Sequence, residues 1–312
     1  MVHGRFQALF FGDSIVWGQG LREEDKFSTW VVQWLNEYHP NLRAYKTVKA
    51  HSGAIIGTGG DVAPKMSIRE DPGWPGEVPS TYPTIQHQIA AYADSDPNDA
   101  DLIVIDGGIN DVNIRTIFNP RTTQADLKSH IRYACGTLMP TLLMAAAAKF
   151  PNPRTKIFVL GYYPIVSAQS RPTGVIPMMT AFGVPVIGPA GWNPWRSIVD
   201  NALLFESYSD ELIQGAILSA SAARPGRFVW VKPGIKAENS AFGPQAWVFG
   251  LQLPQGAAED DVAADRRAQC MIQTDLEQRA LCFRASAGHP NRWGARAYFN
   301  AIYPVLQREY GL

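Results

Sequence analysis

Phe6-Gln7-Ala8-Leu9-Phe10-Phe11-Gly12-Asp13-Ser14 is the stretch on which the reading of the chain turns. A short apolar run ending on glycine fits a strand buried on both faces, as in parallel sheets. Working outward, Phe27, Trp30, Val31, Trp34, Leu35 and Tyr38 recur at the spacing of one helical face, and Pro40 marks the end of that helix. Tyr45 to Lys49 reads as a second strand ending at Ser52-Gly53. Leu102-Ile103-Val104-Ile105, running into Asp106-Gly107-Gly108, is the clearest buried strand. Helices are expected over Ile85 to Ala93 and over residues 124 to 149. Strands are expected over Lys156 to Leu160 and Phe228 to Val231, a helix from about 197 to 222, and a last helix from about Gly294 to Tyr310.

Strands alternating with helices predict an α/β fold whose mainly parallel five-stranded sheet is covered on both faces. Ligands of such sheets bind beyond the carboxyl ends of the strands. Ser14, Gly53 and Asn110 each follow a predicted strand end, so the pattern brings three distant segments to one edge. There is no internal repeat or convincing linker, and the chain is expected to be one domain, 1–312. Two loop insertions are expected, at about 57–84 and 162–195, both rich in Gly and Pro.

Composition narrows the partners. Lys plus Arg and Asp plus Glu are each 28 among 312 residues, a balance that argues against a phosphate-tracking nucleic-acid binder. No run of about 18 apolar residues is present, so no transmembrane segment is expected. The apolar start is too short for a signal peptide, which leaves a cytoplasmic protein or a mature secreted form. Cys270 and Cys282 lie 12 positions apart. On one unbroken helix that is roughly 18 Å of rise, so a bridge requires a turn between them, and bridged and reduced states are both open. Cys135, in an apolar helical stretch, is expected in the core. Paired C-x-x-C spacing is missing, and no metal site is expected.

Four short elements carry chemistry. Gly12-Asp13-Ser14 puts a hydroxyl just past a strand, but serine is a poor nucleophile without a base and donors for the oxyanion. Gly107-Gly108-Ile109-Asn110-Asp111 offers a carboxamide donor, and Ser52-Gly53 a backbone N–H. His289-Pro290-Asn291 offers a neutral imidazole as general base. Each taken singly is also an ordinary turn or helix-cap sequence.

Together and in this order, the four blocks resemble those of the SGNH hydrolases (GDSL-type esterases and lipases), over roughly residues 5–160 and 225–310. The resemblance implies a flavodoxin-like three-layer α/β/α sandwich and acyl transfer with no metal and no cofactor. Ser14 would be the nucleophile and His289 the base, with the Ser14 and Gly53 N–H groups and the Asn110 side chain holding the oxyanion. Asp13 and Asp111 are expected to brace the turns beside them. The G-x-S-x-G elbow of other α/β hydrolases fits nowhere in the chain. One position departs from the family pattern, since Ser286 stands where an Asp usually orients the histidine. Two readings follow: a Ser–His dyad whose Nδ1 proton goes to the Ser286 backbone carbonyl, or an acid from Asp260, Asp261, Asp265 or Asp275. His51 is expected to be structural. The substrate is a small-molecule or glycan ester: apolar residues in 162–195 suit an acyl wall, whereas Trp74, Trp192 and Trp195 suit a sugar ring. The same residues would also fit a catalytically silent binding module or an acyltransferase, and the oligomeric state is left open.

Overall fold

A computed structural model describes residues 4–61, 76–181, 183–184, 193–252, 257–258, 260–271 and 276–312. The parallel strands β1 (Gly4–Phe11), β2 (Leu42–Val48), β3 (Ala100–Ile105), β4 (Lys156–Leu160) and β5 (Phe228–Val231) form one sheet in the order β2-β1-β3-β4-β5. Phe10 pairs with Val48 on one side and with Val104 on the other, so β1 is an interior strand. From Phe6 to Phe11 every side chain is buried, which is why this strand reads as a continuous apolar run. Each such buried apolar side chain contributes about 1.5–3 kcal/mol relative to an exposed one.

The helices are α1 (Ser14–Trp17), α2 (Phe27–Tyr38), α3 (Ile85–Ala90), α4 (Ile109–Val112), α5 (Ile114–Phe118), α6 (Gln124–Ile131), α7 (Met139–Lys149), α8 (Pro172–Ala181), α9 (Pro194–Ala223), α10 (Ala263–Cys270), α11 (Leu276–Phe283) and α12 (Arg292–Tyr310). Helices α2 and α12 pack together beside β2 and β5, while α7 packs against both α3 and α9 in a second group. A π-helical stretch, Arg132–Leu138, joins α6 to α7. The resulting helix, Gln124–Lys149, is by length and composition able to cross a membrane. Lys128, His130 and Arg132 interrupt its apolar run, so the sequence shows no unbroken stretch of about 18 apolar residues there. Its apolar side, including Leu127, Ile131, Met139, Leu142 and Leu143, is nonetheless spent on the core.

Alternating β–α units and an all-parallel sheet are what this architecture consists of. The narrower flavodoxin-like SGNH label rested on four motifs rather than on the sheet, and it gives way to the plainer description of an α/β fold with a five-stranded parallel sheet. Part of the 162–195 stretch, expected as an insertion, is the helix α8, which tolerates Pro177 in its interior. Residues 62–75, with Trp74, and 185–192, with Trp192, lie outside the described residues, as do Phe182, Asp275 and His3.

Candidate active site

The Ser14 turn is built from two constraints. Gly12 has φ +152°, and a Cβ there would sit 1.9 Å from Asp106 Oδ1, so only glycine lets β1 end against that carboxyl group. Asp13 then caps α1, its Oδ1 accepting the Ile15 N–H at 2.9 Å, which leaves the Ser14 N–H outside the cap. The Asp13 N–H donates to Asp106 Oδ1 at 2.8 Å, and Tyr162 Oη donates to Asp13 Oδ2 at 3.4 Å. Burial raises the proton affinity of both carboxyls, Asp106 the more strongly because the Asp13 charge adds to it. Asp106 went unnoticed in the sequence, although an acid at the end of an apolar strand is a signal that could have flagged it.

His289 reaches this turn from the far end of the chain. Its Nε2 lies 2.6 Å from Ser14 Oγ, across 275 positions of sequence. The His289 segment is tied down by backbone bonds on both sides: Phe249 N–H donates to His289 O at 2.8 Å, Gly288 N–H to Phe249 O at 2.9 Å, and Asn291 N–H to Trp247 O at 2.9 Å. Tyr163 Oη donates to Gly288 O at 2.8 Å, and Asn291 caps α12.

Asn110 and Gly53 meet on the other side of Ser14. Asn110 Nδ2 donates one hydrogen to Ala54 O at 2.9 Å, which orients the carboxamide and leaves its second N–H available. Gly53, at φ +79°, packs so tightly on Ser80 that a Cβ would lie 2.8 Å from its backbone N. Asp111 joins the two segments by accepting the Ile56 N–H at 3.0 Å. Burial, acting against that bond, lifts the Asp111 carboxyl to about 6. His51 Nδ1 lies 2.9 Å from Ser52 O, within the same turn.

Ser14, Gly53, Asn110 and His289 line one cavity of about 210 Å³. Most of the remaining wall is apolar: Ile15 and Ile109, Ile114 and Phe118 around α5, Ile165, Met178 from α8, and Leu281 from α11. The arrangement places a hydroxyl, an imidazole and amide donors at the end of an apolar chamber, which is what acyl transfer requires. Among the described residues no group of three or more His, Cys, Asp or Glu is placed to hold a metal ion.

The surroundings of the His289 ring bear on the third member. The Ser286 carbonyl accepts the His289 backbone N–H at 2.9 Å, and His289 Nδ1 is buried without a hydrogen-bond partner. Burial is the largest influence on the ring. Helped by the Arg266 charge, it outweighs the Ser286 and Ala287 carbonyls, which favour the protonated form, and holds the imidazole down at about 4. Of the rival acids, Asp261 and Asp265 are exposed. The Asp260 carboxylate is buried, and it accepts from Ser286 Oγ, not from His289.

Cys270 and Cys282 are bridged, with Cα atoms 5.5 Å apart, because α10 and α11 fold back on each other. Cys135 is buried and free, and its thiol is pushed up by burial.

No family model and no curated protein matches the chain. Among solved structures it is similar to an extracellular lipase from Streptomyces rimosus, at 15% identity over 97% of this chain and 99% of that one, with a TM-score of 0.50. It is also similar to phospholipase A1 from Streptomyces albidoflavus NA297, at 13% identity over 99% and 100% of the two chains and a TM-score of 0.49. A third likeness is to an alpha/beta hydrolase enzyme from the metagenome of Lake Arreo, Spain, at 13% identity over 98% and 95%, with a TM-score of 0.42.

At such identities the likeness speaks for the fold alone, and it corrects the family expectation. What the likeness supports is an α/β fold around a five-stranded parallel sheet. Membership of the SGNH (GDSL-type) family, together with the flavodoxin-like label, is withdrawn. The physical reason is that a strand-end serine, a glycine N–H, an Asn amide and a histidine are what acyl transfer asks of any scaffold. They report a chemistry and not a lineage. The Ser14 turn still differs from a G-x-S-x-G elbow, since Val16 stands where that motif has its second glycine.

Proposed function

We propose that this chain is a serine esterase that hydrolyses carboxylic esters through an acyl-enzyme. The observation that carries this reading is the 2.6 Å approach of His289 Nε2 to Ser14 Oγ at the end of an apolar cavity. Neutral His289 takes the Ser14 proton as Oγ attacks the ester carbonyl carbon. The Ser14 and Gly53 N–H groups and the free Asn110 N–H receive the oxyanion. The tetrahedral intermediate collapses, His289 returns its proton to the departing alcohol, and the acyl group stays on Ser14. Water then attacks the acyl carbon while His289 takes a proton from it. The acid leaves as that proton passes back to Ser14. Asp13, Asp106 and Asp111 act on the turns and take no part in the proton path.

The cavity favours an acyl chain over a sugar. Its walls are mostly aliphatic and aromatic hydrocarbon, and about 210 Å³ lies below the ~300 Å³ of sites for drug-sized ligands, which suits a short to medium acyl group. Of the tryptophans expected to stack on a sugar, Trp74 and Trp192 are outside the described residues, and Trp195 packs against the core.

The test is hydrolysis of p-nitrophenyl esters from acetyl to decanoyl by the native protein and by Ser14→Ala. Turnover is expected for the native protein, strongest at butyryl to octanoyl, with a loss of about 10⁴-fold or more in the variant. A p-nitrophenyl phosphonate should add its phosphonyl mass to the peptide containing Ser14. Equal rates for the two proteins would defeat the reading.

A further inference from the structure

A chain of buried charges runs between the two segments that carry the halves of the candidate dyad. On the nucleophile side, Glu77 accepts from Trp17 Nε1 at 2.7 Å and from Gln19 Nε2 at 2.6 Å, the residues that close α1 and follow it. Arg266 donates from Nη1 to Glu77 Oε1 at 2.8 Å and from Nη2 to Asp260 Oδ2 at 2.5 Å. Asp260 Oδ2 in turn accepts from Ser286 Oγ. Glu77 and Arg266 are 1% exposed and the Asp260 side chain 0%. Ser286 occupies the position three residues before His289, and its carbonyl holds the His289 N–H.

Burying two carboxylates and a guanidinium costs several kcal/mol per ion before pairing, so such a group is weak evidence for stability and is better read as a device that fixes geometry. What this one fixes is the relation between two segments that the sheet does not join: the end of the Ser14 helix and the 286–289 turn. In this arrangement the Asp260 carboxylate is hydrogen-bonded by Arg266 and by the Ser286 hydroxyl, not by His289 Nδ1.

We infer that Glu77, Arg266 and Asp260 form a positioning strut that sets His289 against Ser14, acting through Trp17 and Gln19 at one end and Ser286 at the other. The inference rests on the esterase reading, since the strut is assigned to the same site. It replaces direct support of the imidazole by a carboxylate with mechanical support of the turn that carries the imidazole.

The experiment pairs kinetics with hydrogen exchange on the full chain. Ser286→Ala cuts the strut at its last link with the smallest change in volume. It is expected to speed exchange of the His289 amide tenfold or more while α12 amides are unaffected. It is also expected to lower kcat on p-nitrophenyl butyrate by about 10- to 100-fold with KM within twofold. Asp260→Asn, which keeps an oxygen for the Ser286 hydroxyl, is expected to stay within about threefold of native kcat, whereas Asp260→Ala falls with Ser286→Ala. Unchanged exchange, or unchanged kcat, in Ser286→Ala overturns the inference. An Asp260→Asn as impaired as Asp260→Ala also overturns it, because the charge and not the contact would then be what counts. Exchange is read whether or not the protein turns over esters. A failed esterase reading therefore shows as equal rates for native protein and Ser14→Ala, separately from a failed strut.

Discussion

If His289 is the base, its desolvation fixes how the activity responds to acid. Only the neutral imidazole can accept the Ser14 proton, and burial holds its pKa at about 4 instead of 6.5. Lowering the pH from 8 to 5 would leave roughly nine-tenths of such a ring neutral, but only about one-thirtieth of a ring titrating at 6.5. The expected change in kcat/KM is therefore within about 1.5-fold, against about 30-fold for an ordinary histidine. The assay is pH-stat titration of the acid released from a soluble short-chain ester, which avoids an indicator leaving group. Asp111, lifted to about 6, titrates within the window and joins the Asn110 and Gly53 segments, so a shallow shoulder near pH 6 is expected and should vanish in Asp111→Asn. Linkage gives the matching stability signs. The His289 pKa is lowered on folding, so the unfolded chain binds more protons between about 6.5 and 4, and that contribution is lost as pH falls through this window. The Asp111 pKa is raised on folding, so its contribution is present at low pH and is lost as pH rises through about 6. A 30-fold fall in kcat/KM with half-loss near 6.5, persisting in Asp111→Asn, would refute the argument that the ring is desolvated.

Three further outcomes follow from the same geometry. Asn110→Ala should lower kcat by about 10²–10³-fold on all acyl lengths, because it removes a donor aimed at the oxyanion and not at the chain; stopped assays on acetyl and octanoyl esters check this. Phe118→Ala should move the preferred acyl group to longer chains and cost about 3–5 kcal/mol of stability by denaturant titration, since the ring is 1% exposed yet lines the cavity. Reducing the Cys270–Cys282 bridge, or replacing both cysteines by serine, should cost about 3 kcal/mol for a loop of this length. It should also lower kcat, because Arg266 Nε donates to Cys282 O at 3.1 Å and sits in the helix that the bridge ties to α11.

Much of the sheet could be read from the chain because its strands are buried on both faces and so print as unbroken apolar runs. Val48, expected within Tyr45 to Lys49, ends a strand that begins earlier, at Leu42, because edge residues such as Arg43 and Tyr45 leave that strand half polar. The approach of Ser14 and His289 was legible from the motifs, because few residue types suit a nucleophile and a base. The family was not, since those same residue types recur wherever the chemistry does. Glu77 and Arg266 carried no signal at all: a buried ion pair across 189 positions leaves no periodicity, and an isolated Glu or Arg in sequence reads as surface. The Ser286 carbonyl accepts the His289 backbone N–H, and sequence spacing alone does not distinguish that contact from one to Nδ1.

Much of the cavity's apolar wall comes from α5, α8 and α11, and none of these helices carries the hydroxyl or the imidazole. Selectivity and turnover are thus carried by separable parts of the molecule. Residues 114, 118, 178 and 281 can be varied as a set to retune which chain length is accepted, with the bond-breaking apparatus left as it is. That modularity makes the protein a practical starting scaffold for tailoring ester preference.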